Sequence, residues 1–288
     1  MPEGDTIFRA AANLAKALNG KTVTRFETVY PQVARFHDDV SLVGQKIEEV
    51  TAVGKHLLMR FSGGQTLRTH MRMNGSWHIY KPTDRWQRPR RDLRILIAVD
   101  GEPPYLAVAF NVPVAEMLDE RALARAPALS RLGPDLLGED FDAVSARARA
   151  RTKPDQPASE ILLDQAIAAG AGNVYRSEVL FLANIDPMRA TSALTDTELD
   201  ELFRWARKLM KANVATSGVA AETGGIVTYT GLRCIIHRSD PSERLWVYGR
   251  SGKPCRRCGT PILYRKVGRD ARGLYFCPQC QSGASPAR

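Results

Sequence analysis

Residues 161–182 read ILLDQAIAAGAGNVYRSEVLFL and decide the fold of the middle of the chain. The first half places apolar side chains at helical spacing, at Ile161, Leu162, Leu163, Ala166 and Ile167. Glycines then interrupt the helical pattern, and Asn173 is a residue type that can cap the start of a second helix. We therefore predict two helices that meet at a glycine-rich turn. A third predicted helix starts at the capping box of Thr195 and Glu198.

Upstream of this helical segment the pattern changes to short strands. A first helix, for which Asp5 is the expected N-cap, is followed by strand-like runs. Residues 55–61 and 66–73 flank one turn, and residues 93–99 and 105–110 flank another. Short runs separated by turn residues predict an antiparallel β-sandwich.

The composition indicates a polyanionic partner. The 288 residues include 41 Lys and Arg against 31 Asp and Glu, for a formal net charge of +10 and a pI near 9.6. This balance favours nucleic acid or an acidic membrane surface and does not choose between them. No apolar run reaches the roughly 18 residues that span a bilayer, so we expect a cytoplasmic protein, associated with the nucleoid if its source is bacterial. The length predicts two domains with room for a small third module.

A loop between the two predicted hairpins carries a cluster of arginines: Arg85, Arg88, Arg90, Arg91 and Arg94. Scattered surface arginines commonly make no specific contact. We therefore interpret this cluster as a solvated loop without a specific role.

The C-terminal part of the chain carries the strongest single motif. Two Cys-x-x-Cys pairs are separated by 18 residues: Cys255, Cys258, Cys277 and Cys280. Four thiolates at this spacing are typical of a tetrahedral Zn²⁺ site that is structural, because no ligand position is open to substrate. We predict one structural zinc and a finger whose connecting hairpin offers basic side chains to phosphates, at Arg265, Lys266, Arg269 and Arg272. We interpret the remaining cysteine, Cys234, as a small buried hydrophobe.

The first three residues, Met1-Pro2-Glu3, invite a chemical interpretation. A methionine before proline is normally removed, which would leave the secondary amine of Pro2 free. An α-amino group titrates at about 8, so a useful fraction is neutral and nucleophilic at physiological pH. Attack of this amine on a sugar C1′ would give an iminium ion, and Glu3 could protonate the ring oxygen. The competing interpretation is that both residues merely lead into a helix whose dipole favours an acid.

Motifs along nearly the whole chain resemble one family of DNA-repair enzymes. They are MPEGDT (1–6), VGKHLL (53–58), LGPD (132–135), LDQ (163–165), GNVYRSE (172–178) and CPQCQ (277–281). In this order they are similar to the formamidopyrimidine-DNA glycosylase and endonuclease VIII family. The resemblance implies an α+β multidomain protein. Residues 1–125 would form a catalytic β-sandwich domain, residues 126–245 a helix-two-turn-helix DNA-binding domain, and residues 246–288 a zinc finger.

The resemblance also implies roles for individual residues. Pro2 would be the Schiff-base nucleophile, Glu3 the acid that opens the deoxyribose, and Lys55 a phosphate contact that assists β-elimination. Asn173 would bind phosphate at a helix N-terminus, and Arg272 would clamp phosphates and assist δ-elimination. Lys55 as an ordinary strand-end lysine and Asn173 as a simple N-cap remain the alternatives.

Three further residues take DNA-contact positions by the same resemblance. Arg72 and Arg131 would contact DNA, and Met73 would fill the gap that the extruded base leaves. Solvated arginines and a core methionine on a strand are the alternative interpretations.

The chain departs from the family pattern at several points. The formamidopyrimidine type carries an Arg-x-Phe wedge where this chain reads FNVP (110–113), which moves it toward endonuclease VIII. Thr6 stands where several relatives carry a glutamate, and the 18-residue interval between the cysteine pairs is longer than the common form. These departures affect the expected lesion preference and the placement of Arg272, and they remove no catalytic group.

We therefore predict a bifunctional DNA glycosylase and abasic-site lyase of base excision repair. It would act as a monomer on DNA with oxidised bases, pyrimidines in particular, or with abasic sites, and nick the strand by β,δ-elimination. The first alternative is an inactive zinc protein that binds damaged or single-stranded DNA, and a retained Met1 would favour it. A zinc-ribbon regulator of transcription explains the finger but leaves Pro2, Glu3 and Lys55 unexplained.

Overall fold

The computed structural model describes residues 2–215, 226–227 and 245–282, which fall into two compact units. The first unit contains residues 2–130 together with the short strand at 226–227. The second unit contains the other described residues, from Arg131 onward. The three-domain division with boundaries at 125/126 and 245/246 stays a prediction.

The first unit is built from two sheets and a long helix. Its elements are α1 (Gly4–Leu18), β1 (Val23–Thr28), α2 (Pro31–Asp39), β2 (Ile47–Val53), β3 (His56–Phe61), β4 (Thr66–His70), β5 (Ser76–Tyr80), β6 (Leu93–Val99), β7 (Tyr105–Phe110), β8 (Val114–Leu118), α3 (Glu120–Arg125) and α4 (Pro127–Ser130), with β9 (Ile226–Val227). The strands pair antiparallel in the orders β1-β6-β7-β5-β9 and β2-β3-β4-β8. Both sheets and α1 contribute to one buried core. The predicted antiparallel sandwich is confirmed.

The two predicted hairpins form at the expected places, because apolar residues in runs of strand length lie opposite one another across each pair of strands. In β3 and β4, for example, Met59 lies opposite Leu67 and both are fully buried. One boundary differs from the expectation, since β4 ends at His70 and does not reach Met73. Arg72 takes a left-handed backbone conformation, with φ of 48°, which ends the strand.

The second unit is helical and carries a small hairpin. Its elements are α5 (Ala143–Arg151), α6 (Ala158–Ile161), α7 (Asn173–Leu182), α8 (Asp196–Ala215), β10 (Leu263–Val267) and β11 (Arg272–Phe276). The predicted capping box precedes α8, because the Glu198 amide donates to Thr195 Oγ1 (3.2 Å) and the Thr195 amide donates to Glu198 Oε2 (2.8 Å). The apolar faces of α7 and α8 share a core with β11.

The glycine-rich turn between α6 and α7 is held by the LGPD segment (132–135). The Gly133 amide donates to Gln165 O (2.8 Å), and the Ala169 amide donates to Pro134 O (2.9 Å). A Cβ at Gly133 would lie 2.3 Å from Ile167 O, so only glycine fits at this close approach. Two sequence-distant motifs thus meet in one local structure.

Several expectations fall wholly or partly outside the described residues. The loop expected at 213–232 begins later, since α8 continues to Ala215 and residues 226–227 form β9. The rest of that range lies outside the described residues, as does Cys234, and only Ser282 is described of the expected tail at 282–288. In the described part of the chain, no helix combines the length and apolar character needed to cross a bilayer.

Candidate active site and metal centre

The N-terminal residues Pro2 and Glu3 are buried directly ahead of α1. The helix begins at Gly4, so Glu3 takes the N-cap position, and its carbonyl accepts from the amides of Thr6 (3.0 Å) and Ile7 (3.1 Å). The expectation that Asp5 caps this helix is wrong, because Asp5 already lies in its first turn. The Glu3 side chain makes no capping hydrogen bond. A fully buried acid therefore stands beside the proline, at the positive end of the helix dipole.

Pro2 lines a pocket of about 700 Å³ in the first unit. The described residues that line it with Pro2 are Met73, Asn74, Gly75, Ser76, His78, Gln87, Arg88, Pro89, Asp92 and Asn111. Arg88 belongs to the arginine cluster that the sequence suggested was a solvated loop without a role. Arg88 is half-buried and lines the pocket beside Pro2, so the description of a solvated loop does not hold for it. That the cluster has no specific role stays a prediction.

Arg72 and Met73 lie on the exposed loop between β4 and β5. The loop is closed by a hydrogen bond from the Gly75 amide to Met71 O (2.9 Å). Met73 is 62% exposed, so the interpretation of a core methionine on a strand is wrong. The loop presents an unbranched apolar side chain beside a cation, next to the pocket that Pro2 lines.

Lys55 occupies a two-residue turn with Gly54, whose φ is 57°, between the paired residues Val53 and His56. Its side chain is half-buried. The alternative of an ordinary strand-end lysine fits its backbone position at the end of β2. Lys55 also lies close enough to His56 and His70 for its charge to act on both rings.

Two histidines beside Lys55 are held in the neutral state. His56 and His70 lie opposite each other with ring centroids 4.9 Å apart. Burial, followed by the charge effects of His70 and the nearby cations, lowers the pKa of His56 to about 3. Burial, followed by Arg72 and Lys55, lowers the pKa of His70 to about 4. Their Nδ1 atoms accept from Arg68 Nη1 (2.9 Å) and the Arg72 amide (3.0 Å), respectively.

In the second unit, Asn173 and Arg272 are joined through the zinc-finger hairpin. Helix α7 begins at Asn173 with Gly172 in the N-cap position, so the interpretation of Asn173 as a simple N-cap is wrong. Its Nδ2 instead donates to Gly273 O (2.7 Å), one residue from Arg272. The Arg272 guanidinium is exposed and pairs with Asp270 Oδ2 at 2.7 Å. Arg131, the first residue of this unit, is also exposed.

Arg176 is a buried organiser that the sequence interpretation missed. It is fully buried, and its Nη1 pairs with Glu160 Oε1 at 2.9 Å. Its Nη2 donates to Gly273 O (2.9 Å) and to Asn173 Oδ1. The side chain therefore ties α6, the start of α7 and the finger hairpin together. Its place in the GNVYRSE motif was the only sequence signal for this role.

Glu178 and Gln281 anchor the zinc finger to the helices. The carboxylate of Glu178 accepts from the amides of Trp246 (2.8 Å), Val247 (2.9 Å) and Tyr248 (2.8 Å). Burial raises the pKa of Glu178, and the three amide donors oppose that rise. Gln281 accepts from the Cys277 amide (2.9 Å) and donates to Ile185 O (3.1 Å). The final Gln of the CPQCQ motif therefore holds the second cysteine pair against the segment that follows α7.

The four predicted cysteine ligands converge within the second unit. Their sulfur atoms all lie within 4.8 Å of one another, with Cys255 Sγ to Cys280 Sγ at 3.9 Å and Cys258 Sγ to Cys277 Sγ at 3.5 Å. Tetrahedral Zn²⁺ with bonds of about 2.3 Å places its sulfur ligands about 3.8 Å apart. The donor set and its spacing therefore fit one structural zinc, as predicted from the sequence.

The predicted site residues form two sets, one in each unit. The first unit contains Pro2, Glu3, Lys55, Arg72 and Met73. The second unit contains Arg131, Asn173, Arg272 and the four cysteines.

Comparison with known proteins identifies the modules of the chain. The formamidopyrimidine-DNA glycosylase N-terminal domain matches residues 1–126, and the formamidopyrimidine-DNA glycosylase H2TH domain matches residues 132–224. A zinc finger found in FPG and IleRS matches residues 252–283. The fold is similar to that of Lactococcus lactis Fpg in a complex with abasic-site DNA, with a TM-score of 0.79 and 24% identity over 97% of this chain and 99% of that one.

Full-length relatives carry related names. A probable endonuclease 8 2 of Streptomyces coelicolor is 37% identical, over 99% of this chain and 96% of the relative. A DNA-(apurinic or apyrimidinic site) lyase Nei2 of Mycolicibacterium smegmatis is 35% identical, over 99% and 100%. Fold and site thus define a zinc-finger DNA glycosylase of the kind that also cleaves abasic sites. The chain belongs to the formamidopyrimidine-DNA glycosylase and endonuclease VIII family.

Proposed function

We propose that this enzyme excises oxidised bases, pyrimidines in particular, and nicks the strand with the Pro2 amine as its nucleophile. The observation that carries the proposal is the placement of Pro2, which lines a pocket while the fully buried Glu3 stands beside it. The free amine requires removal of Met1. At a pKa of about 8, an α-amino group supplies neutral amine at physiological pH, whereas a lysine at about 10.4 supplies little.

The proposed reaction begins with base excision. The Pro2 nitrogen bonds to C1′ of the extruded nucleotide, and the bond from C1′ to the base breaks with its electron pair leaving on the base. The proton that the amine nitrogen loses on bonding to C1′ neutralises the departing base. Glu3 then gives a proton to the ring oxygen as the bond from C1′ to that oxygen breaks. The product is an iminium ion, which is cationic because Pro2 is a secondary amine.

The iminium ion makes strand cleavage easier because it accepts the electrons that proton loss at C2′ releases. When this proton leaves, the C3′–O bond breaks and the 3′ phosphate departs in β-elimination. When a second proton leaves the sugar, the C5′–O bond breaks and the 5′ phosphate departs in δ-elimination. We propose that Lys55 contacts phosphate and assists the first step, and that Arg272 clamps phosphates and assists the second. Asn173 would bind a phosphate of the DNA. Arg72 and Arg131 would make further contacts with the DNA.

The preference for oxidised pyrimidines rests on residues next to the pocket. Asn111 stands in the FNVP segment, where the formamidopyrimidine type carries its Arg-x-Phe wedge. We propose that the exposed Met73 fills the gap in the duplex in place of that wedge. Side-by-side cleavage of a thymine glycol duplex and an 8-oxoguanine duplex tests this preference, and faster cleavage of the purine lesion would contradict it.

Borohydride trapping tests the nucleophile. Mature protein, with Met1 removal verified by mass, should form a stable adduct with an abasic oligonucleotide, and Pro2→Gly should form much less. Pro31→Gly is the matched control, because Pro31 begins α2 on the exposed surface and should trap as wild type does. Trapping by Pro2→Gly at the wild-type level would identify another amine as the nucleophile.

A second variant separates the two chemical steps. Glu3→Gln should bind DNA and lose base excision more than abasic cleavage, because an abasic sugar that is already open no longer needs the proton. An equal loss on both substrates would contradict the role of Glu3.

The remaining proposals concern the whole protein. We propose that it acts as a monomer on damaged or abasic DNA in the cytoplasm, associated with the nucleoid if its source is bacterial. We also propose that residues 1–125, 126–245 and 246–288 act as catalytic, DNA-binding and finger domains.

A further inference from the structure

A hydrogen-bonded relay lies on the outer face of the five-stranded sheet, under the loop that joins β5 to β6. Alternate residues of β5 point to the same face, so Ser76, His78 and Tyr80 stand in a row. All three are buried, with exposures of 7%, 4% and 1%. Ser76 and His78 also line the pocket that contains Pro2.

One contact of the relay, at its far end, has a fixed direction. The Gln87 amide donates to Tyr80 Oη (3.1 Å), since a backbone N–H can only donate. Tyr80 Oη lies 3.0 Å from His78 Nδ1, and His78 Nε2 lies 2.9 Å from Ser76 Oγ. The positions of the remaining hydrogens follow from the chemistry of these groups.

His78 is a neutral imidazole, with one donor and one acceptor nitrogen. Burial, followed by the charge of Arg88, lowers the pKa of His78 to about 4. Two arrangements of hydrogens are therefore conceivable. In one, Tyr80 donates to Nδ1 and Nε2–H donates to Ser76 Oγ. In the other, Nδ1–H donates to Tyr80 and Ser76 donates to Nε2.

The first arrangement is favoured because of the Tyr80 hydroxyl. In the second arrangement its hydrogen would have no acceptor among the described residues, in a side chain that is 1% exposed. A buried donor without an acceptor is costly. In the first arrangement every buried hydrogen of the relay finds a partner, and Ser76 Oγ accepts from His78. The hydrogen of the Ser76 hydroxyl is then available to donate into the pocket.

The lining of the pocket indicates what could accept this hydrogen bond. Among its described residues, the charged side chains are one arginine, Arg88, and one aspartate, Asp92, so their formal charges cancel. A phosphate would require more positive charge. Three amides, from Asn74, Gln87 and Asn111, also line the pocket, and side-chain amides match the donors and acceptors of a nucleobase edge.

We propose that Ser76 determines specificity by donating a hydrogen bond to a carbonyl oxygen of the damaged base. This assignment rests on the proposed function, in which Pro2 bonds to the C1′ that carries that base. Oxidised pyrimidines keep carbonyl oxygens on their rings. These oxygens can accept the hydrogen bond that the Ser76 hydroxyl donates. Tyr80 and His78 act as positioning residues, because they fix the direction of the Ser76 hydroxyl without touching the base.

Single-turnover kinetics on two substrates test the proposal. Ser76→Ala should lower kcat/KM by about tenfold on a thymine glycol duplex, which corresponds to one hydrogen bond of about 1.4 kcal/mol. Cleavage of an abasic duplex should stay within about twofold of wild type, since that substrate has no base. Ser41→Ala, at an exposed serine of the same unit, is the matched control and should change neither rate.

An equal fall on both substrates would overturn the proposal, because the acceptor would then be a phosphate or sugar oxygen. Wild-type rates for Ser76→Ala on both substrates would also overturn it. If the proposed function itself fails, wild-type protein neither excises thymine glycol nor traps abasic DNA, which is a different result.

Nitrogen NMR of the His78 ring tests the relay without any DNA. The ring should carry its proton on Nε2 in wild type, and Tyr80→Phe should shift the resonance of Nδ1, because that nitrogen loses its hydrogen-bond donor. Tyr80→Phe should also lower thymine glycol excision, by less than Ser76→Ala does. A wild-type ring protonated on Nδ1 would refute the assigned direction.

Discussion

Replacing Arg176 with methionine removes the buried cation that joins the helices to the finger hairpin. Methionine keeps an unbranched stem, so the change removes the guanidinium with little loss of packing. The variant loses the pair with Glu160 and the hydrogen bond to Gly273 O, both at 2.9 Å in the wild type. It also leaves Asn173 without its partner at Oδ1.

The expected loss of stability follows from these contacts. A hydrogen bond to a charged group contributes about 1.5–3 kcal/mol. Two such bonds give a fall of about 3–6 kcal/mol in the free energy of unfolding, close to the loss of about 3–5 kcal/mol found when one partner of a buried pair is removed. Because Asn173 and Gly273 lose a shared anchor, the affinity for duplex DNA should fall about tenfold, the equivalent of one phosphate contact.

Denaturant unfolding of zinc-loaded protein measures the first quantity, and titration with a reduced abasic duplex measures the second. Arg204→Met is the control, because Arg204 is 55% exposed and pairs with Glu201 on the surface of α8. It should change stability by no more than about 0.5 kcal/mol. Equal stability and equal DNA affinity for the two variants would refute the organising role of Arg176.

Three further predictions follow from the charges and the metal centre. Removing zinc with a chelator should release about one ion per chain and abolish DNA binding, as checked by metal analysis and titration. Because the folded-state pKa values of His56 and His70 lie below 6.5, the unfolded chain binds more protons, and the free energy of unfolding should fall as pH drops from about 6.5 to about 4. The slope should be at most about 1.4 kcal/mol per pH unit for each histidine, and His56→Gln should flatten it in unfolding curves measured across that range. Asp270→Asn should tighten DNA binding at low salt, because it frees Arg272, whereas Arg272→Ala should lower the log–log salt slope by about 0.9.

Local sequence patterns predicted the elements that depend on short apolar runs, turn residues and ligand spacing. The strands at 93–99 and 105–110 match β6 and β7, and the cysteine pairs converge as their spacing required. Both expectations depend on residues that are near neighbours in the chain, or on a ligand set that tolerates few geometries.

The expectations that were wrong depend on backbone angles or distant contacts. The start of α1 at Gly4 and of α7 at Asn173 was decided by where the backbone enters helical angles, which residue types alone do not specify. The contact of Arg176 with Gly273 joins residues far apart in the chain, and the Arg88 loop reaches the pocket through the fold of the sheet. The spacing of residue types along the chain does not indicate which distant residues will come into contact.

The loop from Met71 to Gly75 has an evolutionary consequence. A Cβ at Gly75 would lie 2.5 Å from Met71 O, so selection for folding should hold that position as glycine. Met73, 62% exposed at the tip, supports no core contact and is open to change. Lineages can therefore exchange the side chain at position 73 by single substitutions on an unchanged scaffold.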